Sequence, residues 1–244
     1  MVIVAIVQAR FASSRLPGKA MLKIGKLPSL AHVLIRTLRI SGVTHFLLAT
    51  TTHSDDDKLK ELAENLGFEV YRGDTDDVVS RFYSAAQIHS ADYVVRITGD
   101  CPILDPTLAG ELVTRALEER ADLTLNYDPP TFPDGLDVSV ISKEALRVLA
   151  HEDLSSHDRE HVTTAIERGD LKVRTVRVTS NTDLSHHRWT LDNAKDLEFF
   201  NQLSAHSKRP LVQMTTEEIL SVVQNNPDIR AINSNYGRNY GHAD

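Results

Sequence analysis

The sequence predicts an α/β protein: a mostly parallel sheet with helices on both faces and a smaller antiparallel elaboration. Three observations predict it. Short apolar, β-branched runs alternate with helical patterns of about 10 to 15 residues nearly to the end of the chain, as crossover-linked parallel strands require. The opening run, Val2 to Val7, is continuously apolar instead of alternating, as in a strand buried on both faces. Third, the chemically distinctive residues fall where such strands end: Gln8-Ala-Arg10, Thr50-Thr-Thr52, Arg72-Gly-Asp74 and Gly99-Asp100-Cys101. Ligands of open parallel sheets sit at those carboxyl ends.

The elements follow in order. After the first strand, residues 28–40 place Leu30, Val33, Leu34, Thr37 and Leu38 at helical spacing, with Gly42 as a stop. His45 to Thr50 reads as a second buried strand. Asp55 to Leu66 is a helix that opens with acids, suiting its N-terminal dipole, and closes at Gly67. Phe68 to Arg72 is a short strand, Val78 to His89 a helix and Asp92 to Thr98 a strand. Pro106 to Arg120 is a helix with proline near its first position, followed by strand Leu123 to Asn126.

Beyond residue 125 the alternation loosens. A proline-rich loop to Gly135 precedes strand Leu136 to Ile141, and two helices fill Lys143 to Arg168. Lys172 to Val178 alternates as a half-exposed strand, Arg188 to Leu191 is a short strand, and helices begin near Asn193 and Thr215. Asn233 to Asp244, polar and rich in Gly and Asn, is expected to be loose.

Composition narrows the function. The 244 residues include a single cysteine, which excludes an intramolecular disulfide framework and fits a reducing compartment. No apolar run approaches the roughly 20 residues of a membrane span. The opening run is too short for a signal-peptide core, so a cytoplasmic location and no membrane partner are expected. The net charge of −7 is uneven: no acid precedes Asp55, so residues 1–54 carry +7 and the remaining 190 carry −14. A globally acidic chain lacks the broad basic face of a nucleic-acid binder. A compact basic segment suits a small polyanion such as a nucleoside triphosphate, a chance run of solvated lysines being the alternative.

The chemistry concentrates after the first strand, in Gln8-Ala-Arg-Phe-Ala-Ser-Ser-Arg-Leu-Pro-Gly-Lys19. Backbone amides and hydroxyls of such a loop wrap phosphate oxygens, Gly18 permits close approach, and Arg15 and Lys19 neutralise a leaving pyrophosphate. It is not a Walker A loop, because Ala20 and not a hydroxyl residue follows the lysine.

This loop closely resembles the signature of the sugar cytidylyltransferases that make CMP-activated 3-deoxy-manno-octulosonate and sialic acids, nearest to the spore coat polysaccharide SpsF branch. Further motifs resemble the same family in order: Tyr71-Arg-Gly-Asp-x-Asp-Asp-Val78 with Arg81-Phe82, Arg96-x-Thr-Gly-Asp-Cys-Pro102, Pro133-Asp-Gly-Leu-Asp137, Arg159-Glu-His-Val162 and Arg188-Trp-Thr-Leu-Asp192. The resemblance implies a Rossmann-like nucleotidyltransferase fold of the nucleotide-diphospho-sugar transferase type. It implies Mg²⁺-dependent transfer of CMP from CTP to a sugar, a nonulosonic or related acidic one, with pyrophosphate released for surface polysaccharide or glycan assembly. A homodimer is implied as well.

On this resemblance, residues 1–244 form one domain: a nucleotide-binding half (1–125), an acceptor and dimerisation elaboration (126–200), and a C-terminal helix and tail (201–244). Arg15, Lys19 and Asp100 are the expected catalytic residues, and Asp100 with Asp192 the expected metal ligands. Gln8, Ala9, Arg10, Ser13, Ser14, Gly18, Arg72, Asp77 and Thr98 are placed at the nucleotide. Arg81, Asp134, Asp137, Arg159, His161 and Arg188 are placed at the acceptor. The chain departs from the octulosonate enzymes at Thr98, where they carry glutamine, and at Cys101, where they carry an acid. Contacts made there do not transfer.

Several residues keep a second reading. Asp100 and Asp192 also suit turn and N-cap positions. Arg72, Asp77 and Arg81 suit surface ion pairs, and Asp134-Gly135 suits a simple turn. His157-x-x-Glu-His161 matches a zinc-hydrolase pattern weakly. Cys101 reads as a small buried residue, His186-His187 as an exposed loop, and Asp55 to Asp57 as a helix start imitating Asp-x-Asp. A glycosyltransferase using a nucleotide sugar, or a non-catalytic nucleotide-binding protein, are the competing functions.

Overall fold

The computed structural model of the chain describes residues 1–238. Strand β1 (Ile3–Gln8) is the hydrophobic axis, with Ile3 to Val7 all buried. A two-residue hairpin, β2 (Lys23–Ile24) and β3 (Leu27–Pro28), turns through Gly25 and forms the small antiparallel sheet. Then follow α1 (Ser29–Thr37), β4 (His45–Thr51), α2 (Asp57–Asn65), β5 (Glu69–Gly73), α3 (Val78–Gln87) and β6 (Tyr93–Thr98). Helix α4 (Pro106–Glu118) is capped by Asp105, whose carboxylate accepts from the amides of Thr107 and Leu108, a cap contributing about 1 kcal/mol. Strands β7 (Leu123–Leu125) and β8 (Val138–Ser142) come next, then α5 (Lys143–His151), α6 (Ser156–His161), α7 (Thr164–Glu167) and β9 (Thr175–Arg177). Helices α8 (Ala194–His206), α9 (Thr216–Asn225) and α10 (Pro227–Ala231) finish the described chain.

The main sheet has the order β5-β4-β1-β6-β8-β7-β9. Only β8 runs against its neighbours; the other pairings are parallel. The chain leaves β1 first toward β4 and returns to its other side with β6. That reversal opens a crevice at the carboxyl ends of β1 and β6, where the phosphate loop begins. Alternation along β1 splits the core: Ile3, Ala5 and Val7 pack with α1, α2, α4 and the C-terminal helices, while Val4 and Ile6 pack with α3, α5 and α7. No helix among the described residues is long and apolar enough to cross a membrane.

Three expectations need correction. Residues 188–191 do not form a strand; Arg188 makes one isolated bridge with Asp134, because side-chain bonds and the tight packing of Gly135 hold the segment. Lys143 to Arg168 holds three helices, since Val162 adopts φ +67 and separates α6 from α7. Residues 233–238 are not loose. Asn233 is buried and donates to the Arg188 carbonyl at 3.1 Å, and Arg238 grips Asp137 at 2.8 and 3.0 Å. The rest of the tail expected to be loose, residues 239–244, lies outside the described residues.

Candidate active site

The loop after β1 is tied down at both ends. The Ala9 amide donates to the Ala49 carbonyl at 3.2 Å, and the Phe11 amide to Asp56 Oδ1 at 2.6 Å. Asp56 also accepts from the Thr50 hydroxyl (2.9 Å), the Thr51 amide (2.9 Å) and the Thr51 hydroxyl (2.5 Å). Burial works against its carboxylate, but these hydrogen bonds outweigh it and lower its pKa. Asp56 is thus the peg of the loop, a role that its place at a helix start did not reveal. The loop closes where the Gly18 amide meets the Phe11 carbonyl at 3.2 Å. Gly18 has φ +68, and a Cβ there would stand 3.0 Å from the Phe11 ring, so both backbone and space favour glycine. Arg10, Phe11, Ala12, Ser13, Ser14, Pro17 and Gly18 line an open hollow of about 520 Å³ with Asp55.

Beneath this loop three charges meet. Lys19 Nζ lies 3.0 Å from Asp100 Oδ2 and 2.6 Å from Asp192 Oδ1. Arg15 reaches Asp192 Oδ1 from the rim at 3.4 Å, with its side chain one-third exposed. The fold joins positions 100 and 192 directly: the Leu191 amide donates to the Asp100 carbonyl at 2.8 Å, and the Thr190 hydroxyl adds a bond to the same oxygen at 3.3 Å. Asp192 is not the helix cap. Asn193 caps α8, in a capping box with Asp196, which leaves the Asp192 carboxylate for Lys19. Burial disfavours the Lys19 ammonium, yet Asp100 and Asp192 outweigh burial and raise its pKa. Asp100 shows the converse. Burial works against its charge, but Lys19 and the Thr98 hydroxyl hold its pKa well below the ordinary carboxylate value.

The structure moves several predicted contact residues into supporting roles. Arg188 is buried and committed to protein: Asp196 at 2.9 and 3.0 Å, Asp134 at 3.2 Å, Asp192 at 3.4 Å and the Gly237 carbonyl at 3.2 Å. It therefore positions Asp192 and is not placed at the acceptor. Gly135 lets this segment pack, because at φ +107 a Cβ would collide with the Trp189 backbone. Arg72 donates to the Thr51 and His53 carbonyls and to Asp57, stapling β4 to α2, away from the nucleotide role expected of it. Arg81, also expected at the acceptor, is buried and donates to the Asp74 and Thr75 carbonyls, fixing the turn after β5.

Other residues fall around the crevice. Asp77 caps α3 and pairs with Arg159 at 3.0 Å, and Arg10 pairs with Glu160 at 3.4 Å, so α6, which carries His161, is latched across the loop. Ser13 accepts from the Leu16 amide at 3.4 Å, while Ser14 is exposed in the hollow. Gln8 and Thr98 end β1 and β6 side by side. Cys101 is buried, and burial pushes its thiol well above the ordinary range. Asp134 and Asp137 are pushed up to about 7 and about 6 by burial; Asp137 raises Asp134 further, and Arg238 opposes both shifts. His187 is buried, unlike the exposed loop expected of it, whereas His186 is exposed.

The basic N-terminal segment divides likewise. Arg36 is fully buried and donates to the carbonyls of Leu104, Leu211 and Met214, and burial lowers its pKa to about 10. Arg39 donates to the Val212 carbonyl. Only Arg10, Arg15 and Lys19 of that segment gather at the phosphate loop. The His157 and His161 rings lie 4.4 Å apart, tilted by 50°, and the described residues contain no group of three or more His, Cys, Asp or Glu placed to hold a metal. The donor set at the loop is two carboxylates converging on one cation. A hard divalent ion that keeps waters and takes substrate phosphate oxygens fits such a set.

A family model described as cytidylyltransferase matches residues 4–230. The chain is 27% identical over 238 residues to the spore coat polysaccharide biosynthesis protein SpsF of Bacillus subtilis, covering 93% of this chain and 95% of that one. It is 33% identical over 115 residues to a 3-deoxy-manno-octulosonate cytidylyltransferase of Trichlorobacter lovleyi, covering 46% and 44%. A solved cytidylyltransferase from Leptospira borgpetersenii superposes with a TM-score of 0.89 at 28% identity, covering 94% of this chain and 97% of that one.

Proposed function

The chain belongs to the cytidylyltransferase family, and from that premise we propose that it transfers CMP from CTP to an acidic sugar, releasing pyrophosphate. The observation that supports this best is the Lys19 ammonium held between Asp100 and Asp192 beneath a pegged phosphate loop. The triphosphate lies along that loop, with Arg15 at the rim and Lys19 at the base. Lys19 keeps its proton through the reaction, because both carboxylates raise its pKa, and it donates to phosphate oxygens when CTP competes for it. The acceptor hydroxyl attacks the α-phosphate in line; the new P–O bond forms as the bond to the β-phosphate oxygen breaks, and pyrophosphate carries the charge away. Arg15 and Lys19 meet that developing charge. Asp100 and Asp192 would hold Mg²⁺, which supplies charge neutralisation across the phosphates when bound.

Two measurements test the proposal. A nucleotide present at 100 times its dissociation constant adds about 2.7 kcal/mol of stability, so CTP should raise the melting temperature where UTP, ATP and GTP do not. Asp100→Ala should lower pyrophosphate release by about 10²–10³-fold. Equal shifts from all four nucleotides, or unaltered turnover in the variant, would overturn the proposal.

A further inference from the structure

Strands β1, β6 and β8 lie side by side, with Gln8 in register with Thr98 and Arg96 in register with Ser139. Side chains alternate across a strand, so these four residues share one face of the sheet at the mouth of the crevice. Two of them carry a buried atom with no hydrogen-bond partner, Gln8 Oε1 and Arg96 Nε, while Ser139 faces Tyr127. Native proteins seldom leave such atoms unmatched.

Arg96 is the telling member. The other buried arginines are all committed to protein: Arg36 to three carbonyls, Arg81 to two, and Arg188 to carboxylates. Arg96 is half-buried, yet among the described residues no carboxylate lies within ion-pair distance and its Nε has no acceptor. Taking a guanidinium out of water without an anion is unfavourable, so a site that tolerates one is built for an anion that arrives. Tyr127 stands within electrostatic reach of Arg96 and bonds the Thr163 hydroxyl at 3.0 Å, and the Ser139 hydroxyl lies opposite Arg96 on β8. Nearby Asp137 is bonded by Arg238 at 2.8 Å and feels Arg96 only as a longer-range attraction. Asp100 follows four residues later on the same segment.

The geometry points to Arg96 as the residue that reads the acceptor's carboxylate, with the Ser139 hydroxyl beside it, so that the enzyme selects acidic over neutral sugars. This rests on the cytidylyltransferase reading, because a CMP acceptor is what the crevice then holds. A planar guanidinium grips a carboxylate with two parallel bonds, which a lysine does not reproduce.

The test is calorimetric titration of the CTP-loaded chain, without Mg²⁺, using 3-deoxy-manno-octulosonate and N-acetylneuraminate as probes, together with their carboxamides. At least one acid should bind the unaltered chain, with its carboxamide much weaker. Arg96→Gln should weaken the acid by about 10- to 100-fold, the range of a hydrogen-bonded charge contact, and Arg96→Lys should recover part of it. CTP affinity and melting temperature should be unchanged in both variants, since Arg96 holds no ion pair among the described residues and its Nε no hydrogen bond. Equal acid binding by Arg96→Gln would overturn the inference. So would a carboxamide that binds like its acid, a lowered melting temperature in the variant, or no binding of either acid up to tens of millimolar. Failure of CTP itself to bind would instead strike the proposed function.

Discussion

Two parts of one crevice handle charge in opposite ways. Around Lys19, every charge meets an opposite one: Lys19 joins Asp100 and Asp192, Arg15 joins Asp192, and Arg188 ties Asp192 to Asp134 and Asp196. On the neighbouring strand ends, Gln8 and Arg96 present buried atoms without a hydrogen-bond partner. The paired region is organised before any ligand arrives, and a ligand there must compete with protein carboxylates. The unpaired region is completed by its ligand. A residue's worth to the fold and its worth to the reaction should therefore separate across the crevice, and substitutions on either side measure that separation.

The largest effect is expected where the pairing is deepest. Arg188→Met removes the cation shared by Asp134, Asp192 and Asp196; Asp192 keeps Lys19 and Arg15, but the buried Asp196 and Asp134 lose their ion pair. Breaking one side of a buried pair is destabilising by about 3–5 kcal/mol, whereas a substitution that removes no partner stays within about 0.5 kcal/mol. Urea unfolding should place Arg188→Met far below the unaltered chain and Arg96→Gln beside it. If the two variants unfold at the same urea concentration, the contrast between the regions is gone.

Next comes Lys19→Met. Water screens Asp100, whose side chain is 28% exposed, and the buried Asp192 keeps Arg15 and Arg188, so the stability loss should be smaller than for Arg188. Turnover should fall by about 10²–10³-fold, equal to roughly 2.7–4 kcal/mol of barrier, because one preorganised charge at the leaving phosphate is lost. Pyrophosphate release by Lys19→Met and Lys19→Arg checks this, with the arginine variant the more active. Full activity in Lys19→Met would mean that the paired region merely braces the fold.

The sequence was most legible where the physics is local. Continuous apolar runs at β1 and β4, the acid-rich start before α2 and the proline at the head of α4 announce their elements without reference to the rest of the chain. The phosphate loop was legible because its residue types are costly elsewhere. What stayed hidden was long-range commitment. Arg36, Arg72, Arg81 and Arg188 look alike in a sequence, and only the fold shows that carbonyls or carboxylates from other segments occupy them. Asp56 was hidden among three aspartates, since burial and not identity separates it from Asp55 and Asp57. The residues 233–238 misled by composition: Asn233 and Arg238 are polar because the neighbours they bond are buried acids and carbonyls.

The smallest effect sharpens the comparison through pH. Asp134 and Asp137 sit between the two regions, and burial raises their folded pKa values to about 7 and about 6, above the ordinary 3.8. Groups shifted upward bind protons more tightly when folded, so they favour folding at low pH and lose that contribution as pH rises through 6 and 7. Asp100 is shifted downward, and its contribution is instead lost as pH falls below its ordinary value. Asp137→Asn removes one of the upward-shifted acids and relieves the other, because Asp137 is itself a cause of the Asp134 shift. The variant should therefore match the unaltered chain near pH 4 and become more stable than it by on the order of 1 kcal/mol near pH 8. Taking the difference between the two chains cancels His187, which burial holds neutral and which pulls both curves the other way in acid. A difference that shrinks as pH rises would show that Arg238 neutralises Asp137 fully, and the crevice would then hold no acid poised to titrate beside the unanswered Arg96.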